Sequence, residues 1–440
     1  MRRLLFLSTA VRSLLAAGLL LAAPAEAIAA EPSLLTATVA EKASGDLRAF
    51  YAHRESPLWV TPEGSLRPAA RELLRLIETA DYDGLDPARL QAGKLEAAIR
   101  TARDRSPAAL AAAELALSSA LVGYVEAMLA QPAGAGVIYE HNVLRPIEPT
   151  GPTVLQAAAD ARSLEAYVTG MRWMHPLYAQ IRQNLTGPVD PSLRQAARAS
   201  LQRVRAIPAP PWSRHVVIDA ASARLWMYEG DRVVDSMRVV VGKPDMPTPM
   251  MAGYLRQAVL NPYWNVPEHL VRQTIAAGVL GQGTRYLRVR GYEVLADWSD
   301  DPARLDPAQV DWRAVAAGRR ELRVRQNPGP ANAMGNVKFE FPNPEGIYLH
   351  DTPDKDLLLA EARQFSNGCV RLEDAERLGR WLLDGAMPSA GSPETRIDLG
   401  QPVPIYITYL TVQADGDRLA LGPDPYGRDG AARAALARAH

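Results

Sequence analysis

Apolar positions change period once along this chain. Between residues 32 and 208 they recur at helical spacing: Leu73, Leu74, Leu76, Ile77 and Ala80 follow Arg71 on a mixed face, and Ala108 to Leu129 is a long Ala/Leu-rich run. In Gly84-Leu85-Asp86-Pro87, Asp86 suits a helix N-cap and Pro87 the first helical position, and further helices are predicted over 153–170 and 191–205. The run Ile207-Pro208-Ala209-Pro210-Pro211 cannot continue a helix. After it the period becomes two: 216–219, 224–228 and 233–241 read as successive strands, the last two joined through Glu229-Gly230-Asp231 as a hairpin. Residues 255–261, 337–341, 347–350 and 403–412 add strands, and one helix is predicted over 374–383, ended by Gly385. The fold class implied is α+β: an all-helical domain over 32–208, then a mainly β, sandwich-like domain over 212–412. An insertion over 268–335, with Gly278, Gly281, Gly283 and the acidic run 297–301, fits the sheet poorly and reads as a lid, poor in periodic apolar residues. The C-terminal extension, 413–440, is expected to fray from about Asp424.

The first residues add a destination. Arg2, Arg3 and Arg12 precede an apolar stretch from Leu14 to Ala23, then Pro24 and Ala25-Glu26-Ala27, the order of a secretory signal peptide over 1–27. The apolar stretch is about half of the roughly 20 residues a membrane span needs, so no stable anchor is expected after cleavage, and no later stretch reads as a span. Lys plus Arg and Asp plus Glu both total 49, which gives no basic field for nucleic acid. Among 440 residues there is one cysteine, Cys369. An exported chain with one cysteine closes no internal disulfide, so this thiol is buried and inert, bonded to another chain, or kept free for chemistry.

Its surroundings bear on that choice. In the strand Ile347-Tyr348-Leu349-His350, alternation puts Tyr348 and His350 on one face, and Phe365-Ser366-Asn367-Gly368-Cys369-Val370-Arg371 follows. Gly368 removes a side chain just before the sulfur and lets a substrate approach the backbone amides of Gly368 and Cys369, which could bind an oxyanion. A free thiol titrates near 8.5, so little is ionised at neutral pH, and a neighbouring imidazole raises that fraction. The plain alternative is an Asn-Gly turn followed by a packed cysteine, with His350 a core histidine.

The combined motifs resemble the L,D-transpeptidases, whose signature is a His and, after a variable gap, Ser/Thr, a variable position, Gly and Cys. Here 15 residues separate His350 from Ser366-Asn367-Gly368-Cys369. Val239-Val240-Val241-Gly242-Lys243-Pro244, Asn261-Pro262-Tyr263-Trp264-Asn265-Val266-Pro267, and Asn327-Pro328-Gly329-Pro330 with Gly335 and Lys338 are similar to the large Gram-negative branch. Phe50-Tyr51, Pro57-Leu58-Trp59 and His175-Pro176-Leu177-Tyr178 resemble that branch's scaffold domain.

This resemblance implies a periplasmic enzyme of peptidoglycan synthesis and cell shape, with stem peptides as donor and acceptor and neither metal nor organic cofactor. Cys369 would attack the carbonyl at the L-centre of the third stem residue, His350 would serve as base, Ser366 would be a supporting catalytic hydroxyl, and the amides of Asn367, Gly368 and Cys369 would form the oxyanion site. Arg371 would bind a substrate carboxylate or brace the loop through backbone carbonyls, the latter being favoured. Tyr348, Trp264, Asn332 and Lys338 share that binding-or-bracing assignment. Two features depart from the branch: Asn367 stands where many relatives carry His or Ser, and the short stretch from Tyr178 to Trp212 has no room for an inserted peptidoglycan-binding module. A sortase would carry a Thr-Leu-x-Thr-Cys run, which is absent. Hydrolysis of the same bond and an inactive wall-binding scaffold are the alternatives, and acceptor identity and oligomeric state are open.

Overall fold

The computed structural model describes residues 33–130, 136–185, 189–209, 214–299, 301–416 and 418–430. The signal read over 1–27 and the last ten residues of the extension lie outside the described residues. The first region consists of helices α1 (Leu34–Lys42), α2 (Gly45–Tyr51), α3 (Ala69–Glu78), α4 (Ala92–Thr101), α5 (Pro107–Leu129), α6 (Gly151–Asp160), α7 (Leu164–Thr169), α8 (Pro176–Gln183) and α9 (Pro191–Val204). Several starts are encoded locally. Ser106 caps α5 and Asp190 caps α9 through side-chain oxygens, each with Pro at the first helical position. The expected helix at Pro87 is instead a turn, in which Asp86 Oδ1 accepts from the Ala88 N–H, and α4 starts at Ala92.

By length and apolarity α5 could cross a membrane, contrary to the sequence expectation that no such stretch exists. It is the core helix of the region: Leu117, Leu121, Tyr124 and Met128 are fully buried. Two carboxylates are buried there with full sets of donors. Glu114 of α5 accepts from the Tyr51 hydroxyl and from the N–H groups of Leu58, Trp59 and Val60. Asp83 accepts from the hydroxyls of Tyr124 and Tyr178 at 2.7 and 2.8 Å and pairs with Arg182 at 2.9 Å.

The β region is built from β1 (Ile138–Tyr139), β2 (Arg214–Asp219), β3 (Arg224–Glu229), β4 (Arg232–Gly242), β5 (Met251–Leu260), β6 (Trp264–Asn265), β7 (Tyr292–Leu295), β8 (Arg323–Gln326), β9 (Val337–Glu340), β10 (Leu349–His350), β11 (Gln364–Ser366), β12 (Val370–Leu372), β13 (Thr395–Thr408), β14 (Val412–Asp415) and β15 (Arg418–Leu421). Its main sheet runs β1-β5-β13-β2-β3-β4-β12-β10-β9, with β11 on β4. Because β9 also pairs with β5, the order closes on itself. Alternation then divides the side chains: Val216, Ile218, Leu225, Val239, Leu349, Val370 and Ile405 fill the enclosed core, together with Leu378 and Leu382 of the helix Ala375–Leu382. Val217, Tyr228, Ala252 and Tyr406 face outward and join the core of the helical region. The two regions are therefore welded by an apolar seam. At its centre His175 Nε2 lies 2.9 Å from His215 Nε2, with the Tyr228 ring stacked on His215.

The insertion differs from its expected character. Residues Glu268–Gln282, Arg285–Val289 and Trp312–Ala316 are helical and pack with the sheet β6-β8-β7 around Val271, Ile275, Val294, Trp312, Val315 and Val324. Val271, Ile275 and Val279 recur every four residues along its first helical stretch, a period the sequence reading passed over, and with apolar residues of the shorter elements they build a separate core. The C-terminal expectation also needs correction: Asp424 to Asp429 are held by side-chain hydrogen bonds, described below, that no local pattern announces.

Candidate active site

Strand register assembles the predicted pair. β10 and β12 run parallel with Leu349 opposite Val370 and His350 opposite Arg371, and antiparallel β9 places Lys338 opposite His350. Leu349 and Val370 point into the core. On the other face lies the row Lys338, His350 and Arg371, with Tyr348 and Cys369 two residues before His350 and Arg371 and so on the same face. Gly368 has φ +111°, backbone that L side chains rarely adopt, and a Cβ there would meet Ile347 Cδ1 at 3.2 Å. This explains glycine before the sulfur.

His350 is buried, and its Nδ1 lies 2.6 Å from the Asp351 carbonyl. That contact assigns the proton to Nδ1 and leaves Nε2 as an acceptor. Burial, then the nearby Arg371 charge, pushes the His350 pKa down to about 4. The imidazole therefore rests neutral. Burial pushes the Cys369 thiol up, against the Tyr348 backbone N–H and the Arg371 charge, which pull it down. Among the described residues no hydrogen bond joins thiol and imidazole: besides the Tyr348 N–H, the polar neighbour of Sγ is the Gly346 carbonyl, 3.8 Å away. The resting site is thus a neutral thiol near a neutral imidazole, with one cation beside both.

Residues 213–405 match the model of the YkuD L,D-transpeptidase catalytic domain, and residues 45–185 match that of the scaffold domain. The chain carries an L,D-transpeptidase catalytic domain. A Haemophilus influenzae protein named "Putative L,D-transpeptidase" is 30% identical over 290 residues, which span 62% of this chain and 57% of that protein. Among solved structures, an L,D-transpeptidase from Mycobacterium smegmatis is similar at 16% identity over 44% of this chain and 58% of its own, with a TM-score of 0.21. An Enterococcus faecium L,D-transpeptidase shows 13% identity over 46% and 52%, with a TM-score of 0.22.

Within the transpeptidase domain, two expected roles change. Ser366 is buried and spends its hydroxyl on its own loop, donating to the Cys369 carbonyl at 2.5 Å and accepting from the Gly368 N–H at 3.1 Å. Its hydroxyl therefore braces the cysteine loop from within. The same bond removes the Gly368 N–H from the expected oxyanion site. Among the described residues the Asn367 and Cys369 N–H groups have no acceptor, so they keep that capacity. Arg371 does not brace: it makes no bond to a backbone carbonyl among the described residues, pairs with Asp354 at 3.6 Å, and leaves Nε buried without a partner. A carboxylate could occupy those donors.

The remaining predicted residues of the transpeptidase domain separate by their partners. Asn332 is buried and braces the insertion's return, donating to the carbonyls of Pro262 and Asn327 and accepting from the Met334 N–H. Trp264 packs against the insertion's core. Lys338 pairs with Glu340 at 2.9 Å and Glu394 at 3.7 Å, and its ammonium lies 5.7 Å from the centre of the half-buried Tyr348 ring. The sequence reading missed Asp351, whose carbonyl sets the His350 tautomer while its carboxylate accepts from the Asn336 N–H and from Lys355. It also missed Thr248, whose Oγ1 donates to the Gly368 carbonyl at 2.7 Å. The first was available as the neighbour of His350. The second follows from a contact across 120 residues and has no local signal.

Proposed function

We propose that this protein is an exported, periplasmic cysteine L,D-transpeptidase that cross-links peptidoglycan stem peptides. The observation that carries this reading is the shared face of Tyr348, His350, Cys369 and Arg371 in a domain of the L,D-transpeptidase type. The donor's carbonyl at the L-centre of its third residue sits over Sγ, with the N–H groups of Asn367 and Cys369 facing the developing oxyanion. As Sγ bonds to the carbonyl carbon, its proton passes to His350 Nε2, the acceptor left by the Nδ1 contact with Asp351. Collapse of the tetrahedral species breaks the amide bond, and the terminal residue leaves as an amine that takes the proton back from His350. The thioester is opened by an amine of a second stem, whose proton goes through His350 to the departing sulfur. Arg371 lowers both pKa values, so it favours the thiolate when the proton leaves Sγ and favours release of that proton from the His350 imidazolium to the leaving amine. Neutral His350 suits the role of base better than that of a resting cation.

The helical region and the insertion are assigned to substrate placement and to covering the cleft, and the N-terminal signal to export. Mass spectrometry of tetrapeptide muropeptides after incubation with the purified protein tests the reading. Loss of the terminal residue together with cross-linked dimers is expected. Tripeptides without dimers would make it a hydrolase, and unchanged muropeptides would overturn acyl transfer.

A further inference from the structure

The transpeptidase match ends at residue 405, but the polar contacts behind the Cys369 loop do not. Thr248 is fully buried in the loop Lys243-Pro244-Asp245-Met246-Pro247-Thr248. Its hydroxyl is used twice: it donates to the Gly368 carbonyl and accepts from the Gly242 N–H at 2.8 Å. The loop folds so tightly that a Cβ on Gly242 would lie 2.2 Å from the Met246 carbonyl oxygen. Tyr426, from the C-terminal extension, closes it from outside, donating to the Gly242 carbonyl at 2.6 Å and accepting from the Thr248 N–H at 3.4 Å.

Tyr426 is in turn anchored. Its ring stacks on Tyr409 at 5.2 Å, its N–H donates to the Tyr409 hydroxyl, and Arg428 covers both rings while donating to the Thr248 carbonyl. Asp424 accepts from the Tyr409 hydroxyl and from the N–H groups of Arg428 and Asp429. Asp429 pairs with Arg203 of α9 at 2.8 Å and accepts from Thr411 Oγ1. An unbroken polar chain therefore runs from α9, through Asp424 to Asp429, to Thr248 and the residue before the sulfur.

We infer that Tyr426 and Thr248 are positioning residues for Cys369, and that the segment Asp424 to Asp429 is a strut fixing the cysteine loop against α9. The inference rests on the reading of Cys369 as the reactive thiol. Its physical content is that Gly368 must hold its left-handed backbone for Sγ to sit by the Tyr348 N–H and Arg371, the two groups that favour the thiolate. A loop released from Thr248 lets the sulfur drift from both.

The test uses the full chain and iodoacetamide, which reacts only with thiolate, followed at Cys369 across a pH series. Tyr426→Phe keeps the stacked ring and loses the hydroxyl, and Thr248→Val loses both of its bonds while Thr248→Ser retains them. A displacement of the sulfur should slow alkylation about 5- to 10-fold and move the profile's midpoint upward in Tyr426→Phe and Thr248→Val, with Thr248→Ser near wild type. Tyr124→Phe, which removes a buried hydroxyl bond to Asp83 far from the loop, should lower thermal stability and leave the profile unmoved. Superimposed profiles for wild type and Tyr426→Phe would overturn the inference, as would an equal shift in Tyr124→Phe; Tyr426→Phe decides alone if Thr248→Val fails to fold. Because the readout needs only the thiol, inactivity toward muropeptides would count against the proposed function and leave this result standing.

Discussion

The buried carboxylates of the helical region and the charged row of the cleft are made from similar groups, but they are partnered differently. Around Glu114 and Asp83 both oxygens are filled, by backbone N–H, tyrosine hydroxyls and Arg182. Around Cys369, among the described residues, Arg371 keeps a buried Nε without a partner, and the thiol has the Tyr348 N–H and a long contact to the Gly346 carbonyl but no side-chain hydrogen bond. A buried polar group with every bond made stabilises and specifies a fold, whereas leaving one unmade costs about 1–3 kcal/mol. Donors left over in the cleft, beside an acyl-transfer motif, are what a substrate would complete. For these two carboxylates against the cleft residues, satisfaction, more than burial, marks the difference; buried donors without a partner, such as Trp173 Nε1 and Arg182 Nη1, also occur in the helical region, so it is their position beside the motif that singles out those of the cleft.

The largest expected effect comes from reversing satisfaction in the helical region. Glu114→Ala strands three N–H groups and leaves the Tyr51 hydroxyl with Ser118 alone, and should cost about 3–5 kcal/mol of stability, as removal of a buried charged partner does. Cys369→Ala, in the incompletely partnered cleft, should change stability by less than about 0.5–1 kcal/mol. Denaturant melts of both variants check this, and equal losses would erase the comparison.

A smaller effect concerns the seam. His175 Nδ1 accepts from the Leu177 N–H, so its Nε2 carries the proton donated to His215 Nε2. Burial pushes His215 down to about 4 and His175 well below its ordinary value. The unfolded chain takes up protons near the ordinary histidine pKa of about 6.5, while the folded chain resists until about 4, so stability should fall as pH falls through that window. His215→Leu should flatten the slope there, measured as the difference from wild type so that the other buried groups cancel. An unchanged slope would show that this pair is not held neutral by the fold.

Much of the architecture was legible because its signals are local. The Pro-rich run at 207–211 stands where the helical pattern ends and the strands begin, Asp374 caps the helix Ala375–Leu382, and alternation put His350 opposite to Leu349. The site was legible to the extent that one motif carries it. What was missed depends on contacts between distant segments: the separate core of the insertion, the hydroxyl of Ser366 turned back on its loop, and the chain from Asp429 to Gly368. Local composition also misled, since the Gly- and Arg-containing tail reads as loose until Tyr409, Arg203 and Thr248 are seen to hold it.

Cys369 is the only thiol in the chain, so the central claim reduces to one covalent bond at one atom. Intact-mass measurement of the purified protein, during turnover of a tetrapeptide donor quenched in acid, should show a population heavier by the donor less its terminal residue, mapped by peptide analysis to Cys369. Cys369→Ser should show none, and His350→Ala should accumulate it about 100- to 10,000-fold more slowly. A donor consumed without any adduct on Cys369, or with equal adduct in Cys369→Ser, would contradict the account.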